Sequence, residues 1–280
     1  MPTQPLLAHA WLFRFAVFFA VFGVMAAWEA AAPRRPLVVR RSRRWPHNLG
    51  LLVLDAVILR ALFPTAAVGF AALAESRHWG LLDNTLMPPA VKLVAAVIML
   101  DLAIYLQHVL FHAVPILWRV HRVHHADLDF DATTGLRFHP IEILLSLGFK
   151  LLVIAAIGAG AAAVLIFEIL LNAGAIFSHG NVGLPARLDR ALRAVLVTPG
   201  MHRVHHSSAA PETNSNFGFN LSWWDRLFGT YRPAAAGGDN GMTIGLDVFR
   251  DPGELRLDRM LAQPFRGTNG GYPIGRRGGK

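Results

Sequence analysis

Hydrophobic positions in this chain fall into four long runs separated by short polar segments. The first three, 11–32, 49–74 and 90–111, are each close to the roughly 20 residues that cross a bilayer core as a helix. Polar residues inside them are few. Arg14 and Glu29 sit near the ends of the first run, where long side chains can reach the interface. Asp55, Arg60 and Pro64 interrupt the second. The first run is too long for a signal peptide, and its basic flank follows it rather than preceding it. The fourth run, 141–177, is too long for one crossing and carries Gly158 and Gly160 at its middle. It reads as a helical hairpin, or two short spans, turning at those glycines. The pattern predicts an all-α, multi-pass transmembrane helical bundle with four to five membrane segments.

The polar connections orient these spans. PRRPLVVRRSRRWPH, between the first two, contains Arg34, Arg35, Arg40, Arg41, Arg43 and Arg44, and short arginine-rich loops stay on the cytoplasmic side. The loop 75–89 has Arg77 balanced by Glu75 and Asp83 and is expected outside. Counting passes puts the segment after His108 on the cytoplasmic face. Everything after residue 177 joins it there only if 141–177 folds back. Three regions follow: 1–89, membrane segments with the basic loop; 90–232, holding a helical cap on the cytoplasmic side; and 233–280, a Gly-rich tail expected to be flexible.

Composition narrows the chemistry. Charged residues make up 16% and hydrophobic ones 54%, against about 25% charged in soluble domains. There is no cysteine, which excludes disulfides, thiolate metal sites, an iron–sulfur cluster and a cysteine nucleophile. The formal charge of +9 lies beside apolar runs and suits a membrane surface better than nucleic acid. Histidine and carboxylate are left to carry any metal or redox chemistry. Ten of the 13 histidines lie between 108 and 206. His108 and His112 share a helical face at the end of the third run, behind Asp101 and Tyr105 on the same stripe. HRVHH occurs twice, as His121–His124–His125 and His202–His205–His206, and on a helix positions i, i+3 and i+4 gather on one side. His139 and His179 flank the long fourth run. His9, His47 and His78 stand alone and read as interfacial or satisfied residues.

Imidazole is the commonest metal ligand and suits iron, zinc, copper and nickel. One ion takes three or four ligands, so ten histidines are too many for a single site and two metals sharing the cluster is the economical reading. Asp101 either binds metal or, by preference, orients a ligand histidine. Other classes remain open at this point. A haem cytochrome does not need histidine triplets, a metal transporter would string its ligands along a midplane path, and a zinc hydrolase would need a carboxylate such as Glu142 or Asp127 beside the cluster.

The residues also carry a resemblance. HVLFH, HRVHH and HRVHH resemble the HxxxH, HxxHH and HxxHH boxes of the fatty acid hydroxylase / sterol desaturase superfamily of integral-membrane di-iron oxygenases, and so does the linking text: LWRVHRVHHAD, TTGLRFHPIE, FSHGN, TPGMHRVHH and NSNFGFNLSWWDRLFGTY. The likeness runs from about 101 to 231 in the family's order. Val109 departs from the arginine that many members place after the first histidine, a position that projects off the metal face. The resemblance implies that His108, His112, His121, His124, His125, His202, His205 and His206 bind metal, with His139 and His179 matching further family histidines. It implies two iron ions, with zinc possible in isolated protein, and no catalytic residue beyond the metal centre. The implied reaction is O2-dependent hydroxylation or desaturation of a sterol, fatty acyl or ether lipid. A separate electron donor (ferredoxin, small haem cytochrome or reductase) is needed, and the implied location is a bacterial inner membrane with the site on the cytoplasmic face. The segment 213–231 is expected to close over that site.

Overall fold

The computed structural model describes residues 9–63 and 65–267. Among them are five stretches long and apolar enough to cross a membrane. Helix α1 is Ala10–Ala31. The second stretch, Arg41–Ser76, is two helices, α2 (Arg41–Leu62) and α3 (Ala66–Ser76). The break has a local cause: Phe63 precedes Pro64, which itself lies outside the described residues, and takes φ −135°, ψ 73°, since proline drives its predecessor out of the helical region. Helix α4 (Pro89–Ala113) is followed at once by α5 (Pro115–His125), with the extended residue Val114 as the corner. Helices α6 (Pro140–Ile157) and α7 (Ala161–Ser178) complete the spans. Beyond them lie the short α8 (Ala186–Leu192), α9 (Pro199–His205), α10 (Trp223–Leu227) and α11 (Leu257–Ala262). The described residues contain isolated β-bridges and no strand.

The fourth apolar run is indeed a hairpin. Helix α6 ends on Gly158, whose φ of 71° is the left-handed conformation glycine adopts without strain. The loop before α4 seals this turn: Leu81 and Leu82 donate to the carbonyls of Ala156 and Ile157 at 3.0 and 2.8 Å. A Cβ on Gly158 would meet the Trp79 carbonyl. Behind the turn, α3, α4, α6 and α7 pack around Ala67, Ala71, Ala96, Leu100, Ile154, Ala163, Val164 and Phe167. The small residues let the backbones approach, as membrane helices require.

At the opposite end the basic loop is fastened to the loop after the first HRVHH. Arg44 is wholly buried and grips Asp127 with Nε and Nη2 at 2.8 and 2.7 Å and Asp131 at 2.6 Å. Asp129 accepts from the backbone of Val38 and Val39 at 2.8 Å each. Glu29 does not reach the interface as the sequence suggests. It is buried and accepts from the loop amides of Ala132 and Asn181, both at 2.8 Å, which would otherwise be buried without a partner. Arg14 also stays within the bundle, on Glu168.

Residues 233–267 pack against the rest of the described chain; residues 268–280 lie outside the described set. Met260 on α11 is buried against Leu51 and Val123. Arg119 donates to the Pro264 carbonyl at 2.7 Å, and the Arg122 guanidinium donates to the carbonyls of Gln263 and Arg266. Backbone carbonyls held by Arg119 and the buried Arg122 fasten a segment with little apolar periodicity.

Candidate metal centre

Helix α4 ends with His108 and His112 on one face, and the turn at Val114 lays α5 back across it. Helix α5 brings the first HRVHH, with Trp118 fully buried beneath it. Helix α9 brings the second, opened by Thr198, whose hydroxyl caps the Met201 amide, and by Pro199 in the first turn. His179 follows the last turn of α7.

These elements assemble nine histidines into two groups. His108, His112, His121, His125 and His205 form one, and His124, His179, His202 and His206 form the other; within each, one ring nitrogen per residue lies within 4.8 Å of all the rest. Each HRVHH contributes to both groups. The first word gives its first and fifth residues to group one and its fourth to group two, and the second word does the reverse. The groups share a wall, with His125 stacked on His206 at 4.5 Å between ring centroids.

The nitrogen geometry fits metal ions. Nε2 of His108 and His121 are 3.1 Å apart, those of His124 and His179 3.2 Å, and those of His179 and His202 3.1 Å. Two imidazoles bound to a common ion at about 2.1 Å would show such a spacing. The far nitrogens are held by acceptors. Nδ1 of His108 donates to the Phe217 carbonyl (2.8 Å), of His205 to the Ser215 carbonyl (2.7 Å), of His179 to the Ala175 carbonyl (2.7 Å), and of His121 to Glu142 Oε1 (2.7 Å). A carbonyl accepts only from N–H, so the proton sits on Nδ1 and the Nε2 lone pair points inward. His112 Nε2, His205 Nε2 and both nitrogens of His125 and His206 are buried without a hydrogen-bond partner, a costly state unless a cation takes the lone pairs. Burial pushes the His121 and His179 imidazoles down to about 3. Burial first, and neighbouring imidazoles second, hold His124, His125, His202, His205 and His206 well below the usual range. All are neutral, the ligating form.

His139 joins neither group. It is the N-cap of α6, accepting from the Ile141 amide on Nδ1 at 3.1 Å, with Nε2 on the Leu261 carbonyl at 3.3 Å. Asp101 touches no histidine. It accepts from Asn220, the Leu221 amide and Trp224 at 2.9, 3.2 and 2.9 Å, and so anchors the segment that closes the site. Asp225 does the same from inside that segment, accepting from the Phe217 and Gly218 amides at 2.7 and 2.9 Å. Asp127 is committed to Arg44, whose guanidinium holds its carboxyl well below the usual range. The support given by Glu142 and by the Ser215 and Phe217 carbonyls is not legible from residue spacing, since none of these partners falls at a helical spacing from its histidine.

A cavity of about 350 Å³ reaches group one from within the bundle. It lies between the α1–α7 and α2–α6 pairs, and His108 and His121 form part of its wall with Phe111, Leu136, Ile104 and Leu147.

Together these features define an integral-membrane helical protein with paired histidine sites and an internal chamber. Residues 93–230 match the model of the fatty acid hydroxylase family, and over that stretch the chain belongs to this family. It is 26% identical over 235 residues to an ornithine lipid hydroxylase of Rhizobium tropici, covering 81% of this chain and 70% of that protein. It is 30% identical over 166 residues to an alkylglycerol monooxygenase of Xenopus tropicalis (58% of this chain, 35% of the relative), and 28% identical over 142 residues to human cholesterol 25-hydroxylase (49% and 50%). The chain thus spans about a third of the second relative and half of the third. No solved structure matches it.

Proposed function

We propose that the protein is a lipid hydroxylase that uses O2 and external electrons, with the chamber beside group one as its substrate site. The observation that carries this reading is the meeting of two neutral histidine groups with one cavity inside a membrane bundle. Its relatives' names (ornithine lipid hydroxylase, alkylglycerol monooxygenase, cholesterol 25-hydroxylase) favour oxygen insertion over desaturation. The balance is R–H + O2 + 2e⁻ + 2H⁺ → R–OH + H2O. Two iron ions, one held by His108, His112, His121, His125 and His205 and the other by His124, His179, His202 and His206, would supply the O2 chemistry.

The chain's own part is positioning and exclusion. Glu142 and the Phe217 and Ser215 carbonyls fix three of the rings. Phe111, Phe138, Leu147 and Phe219 keep the chamber apolar around the substrate. With no cysteine in the chain, electrons come from a separate protein, a ferredoxin, small haem cytochrome or reductase. The arginine-rich loop supports a cytoplasmic placement of the histidine end in a bacterial inner membrane. The test is purification with iron, measurement of metal per chain, and incubation with membrane lipids, O2 and a reductant. The expected result is iron in both groups and a lipid product heavier by one oxygen. Fully iron-loaded, reduced protein that consumes no O2 with any membrane lipid would refute the reading.

A further inference from the structure

The chamber wall contains five charged side chains, and four of them are accounted for. Lys150 pairs with Glu168 at 2.9 Å and Arg14 takes the other Glu168 oxygen. Glu142 is bonded through Oε1 to His121. Asp55 is the exception. It is 5% exposed, its Oδ1 is buried without a hydrogen-bond partner, and no ion pair reaches it among the described residues. The second oxygen of Glu142, in the same chamber, is also without a partner.

An acid inside a membrane span is costly and is retained where something pairs with it. Among the described residues no donor reaches Asp55 Oδ1, while the side chain lines a chamber of about 350 Å³. A chamber of this size takes a small ligand or the head of an amphiphile rather than a whole lipid. We propose that Asp55 is a specificity residue that binds the ammonium group of an amphiphilic substrate, placing the substrate's head beside His108 and His121. This rests on the reading of the chamber as the substrate site. A head without a hydrogen-bond donor would leave Asp55 Oδ1 unpaired. An ammonium donor satisfies Asp55 and has the free oxygen of Glu142 within the same chamber. Leu52, Leu59 and Ile104 on the same wall take the first carbons of the chain. Oxidation is then directed to the headgroup or the bonds next to it.

The experiment measures equilibrium binding to the purified, metal-loaded, full-length protein in detergent micelles. Two probes are used: an acylated ornithine amphiphile with a free amine, and the same molecule N-acetylated. The free amine should bind roughly 10- to 100-fold more tightly, the factor that a hydrogen bond to a charged group is worth. Asp55→Asn should erase that preference at unchanged metal content, and Asp55→Glu, which keeps the charge, should restore it. Equal binding of the two probes to the unaltered protein overturns the proposal without needing any variant. So does a preference that survives in Asp55→Asn. Binding is read without turnover, so a failed oxygenase assay leaves this result interpretable. A working oxygenase that ignores the amine removes only the present inference.

Discussion

At the scale of single residues, the repeated HRVHH acquires a division of labour. On a helix of 3.6 residues per turn, i+4 lies about 40° from i on one side and i+3 about 60° on the other. One turn can therefore serve two neighbouring ions, with i and i+4 on one and i+3 on the other. Two such turns set face to face with exchanged roles give each group histidines from both, as His121, His125 and His205 against His202, His206 and His124. The expected outcome is that His205→Ala and His125→Ala lose the ion of group one and keep that of group two. His124→Ala and His206→Ala should do the reverse. Metal analysis reads this as about half the native content in each, with hydroxylase activity abolished throughout. His139→Ala should keep full metal content and lose only cap stability, about 1 kcal/mol. The spacing of the histidines was legible in the sequence, and so was their number. Their partition was not, because it depends on how α5 and α9 face each other across chain segments that share no periodicity.

At the scale of elements, the site depends on clamps rather than on helix propensity. Arg44, at the start of α2, ties down the loop that follows the first HRVHH through Asp127 and Asp131. Removing one partner of a buried ion pair leaves its charges uncompensated, so Arg44→Leu should destabilise by about 3–5 kcal/mol, seen as a large fall in melting temperature together with metal loss. The apolar runs and the Gly158 turn could be read directly because length and glycine act locally. The polar clamps could not. Asp101 sits in a membrane helix four residues before Tyr105 and on the face of His108, which suggests a partner for a histidine. It turned instead to Asn220 and Trp224, since the segment 214–231 needed an anchor for amides that would otherwise be buried unpaired.

At the scale of the whole molecule, the hairpin of α6 and α7 decides whether the two words can meet at all, and the meeting of His124, His125, His205 and His206 shows that they do. All histidines of both groups must then face one compartment. The chain has no native cysteine, so single replacements report sidedness cleanly. Leu86→Cys, fully exposed in the loop before α4, should react with an impermeant maleimide on intact cells. Leu188→Cys, on exposed α8, should react only after the membrane is opened. Labelling of both from the same side would remove the proposed orientation.

Helix α5 is backed by the carbonyls of Pro264, Gln263 and Arg266, nearly 150 residues after it in the order of synthesis. While the ribosome is still extending the chain, Arg119 and Arg122 have no such support, and the first histidine word stands on an unfinished floor. The two groups reach their final shape only once residue 266 has emerged. Ions held by both groups would therefore be received by a chain already threaded through the bilayer.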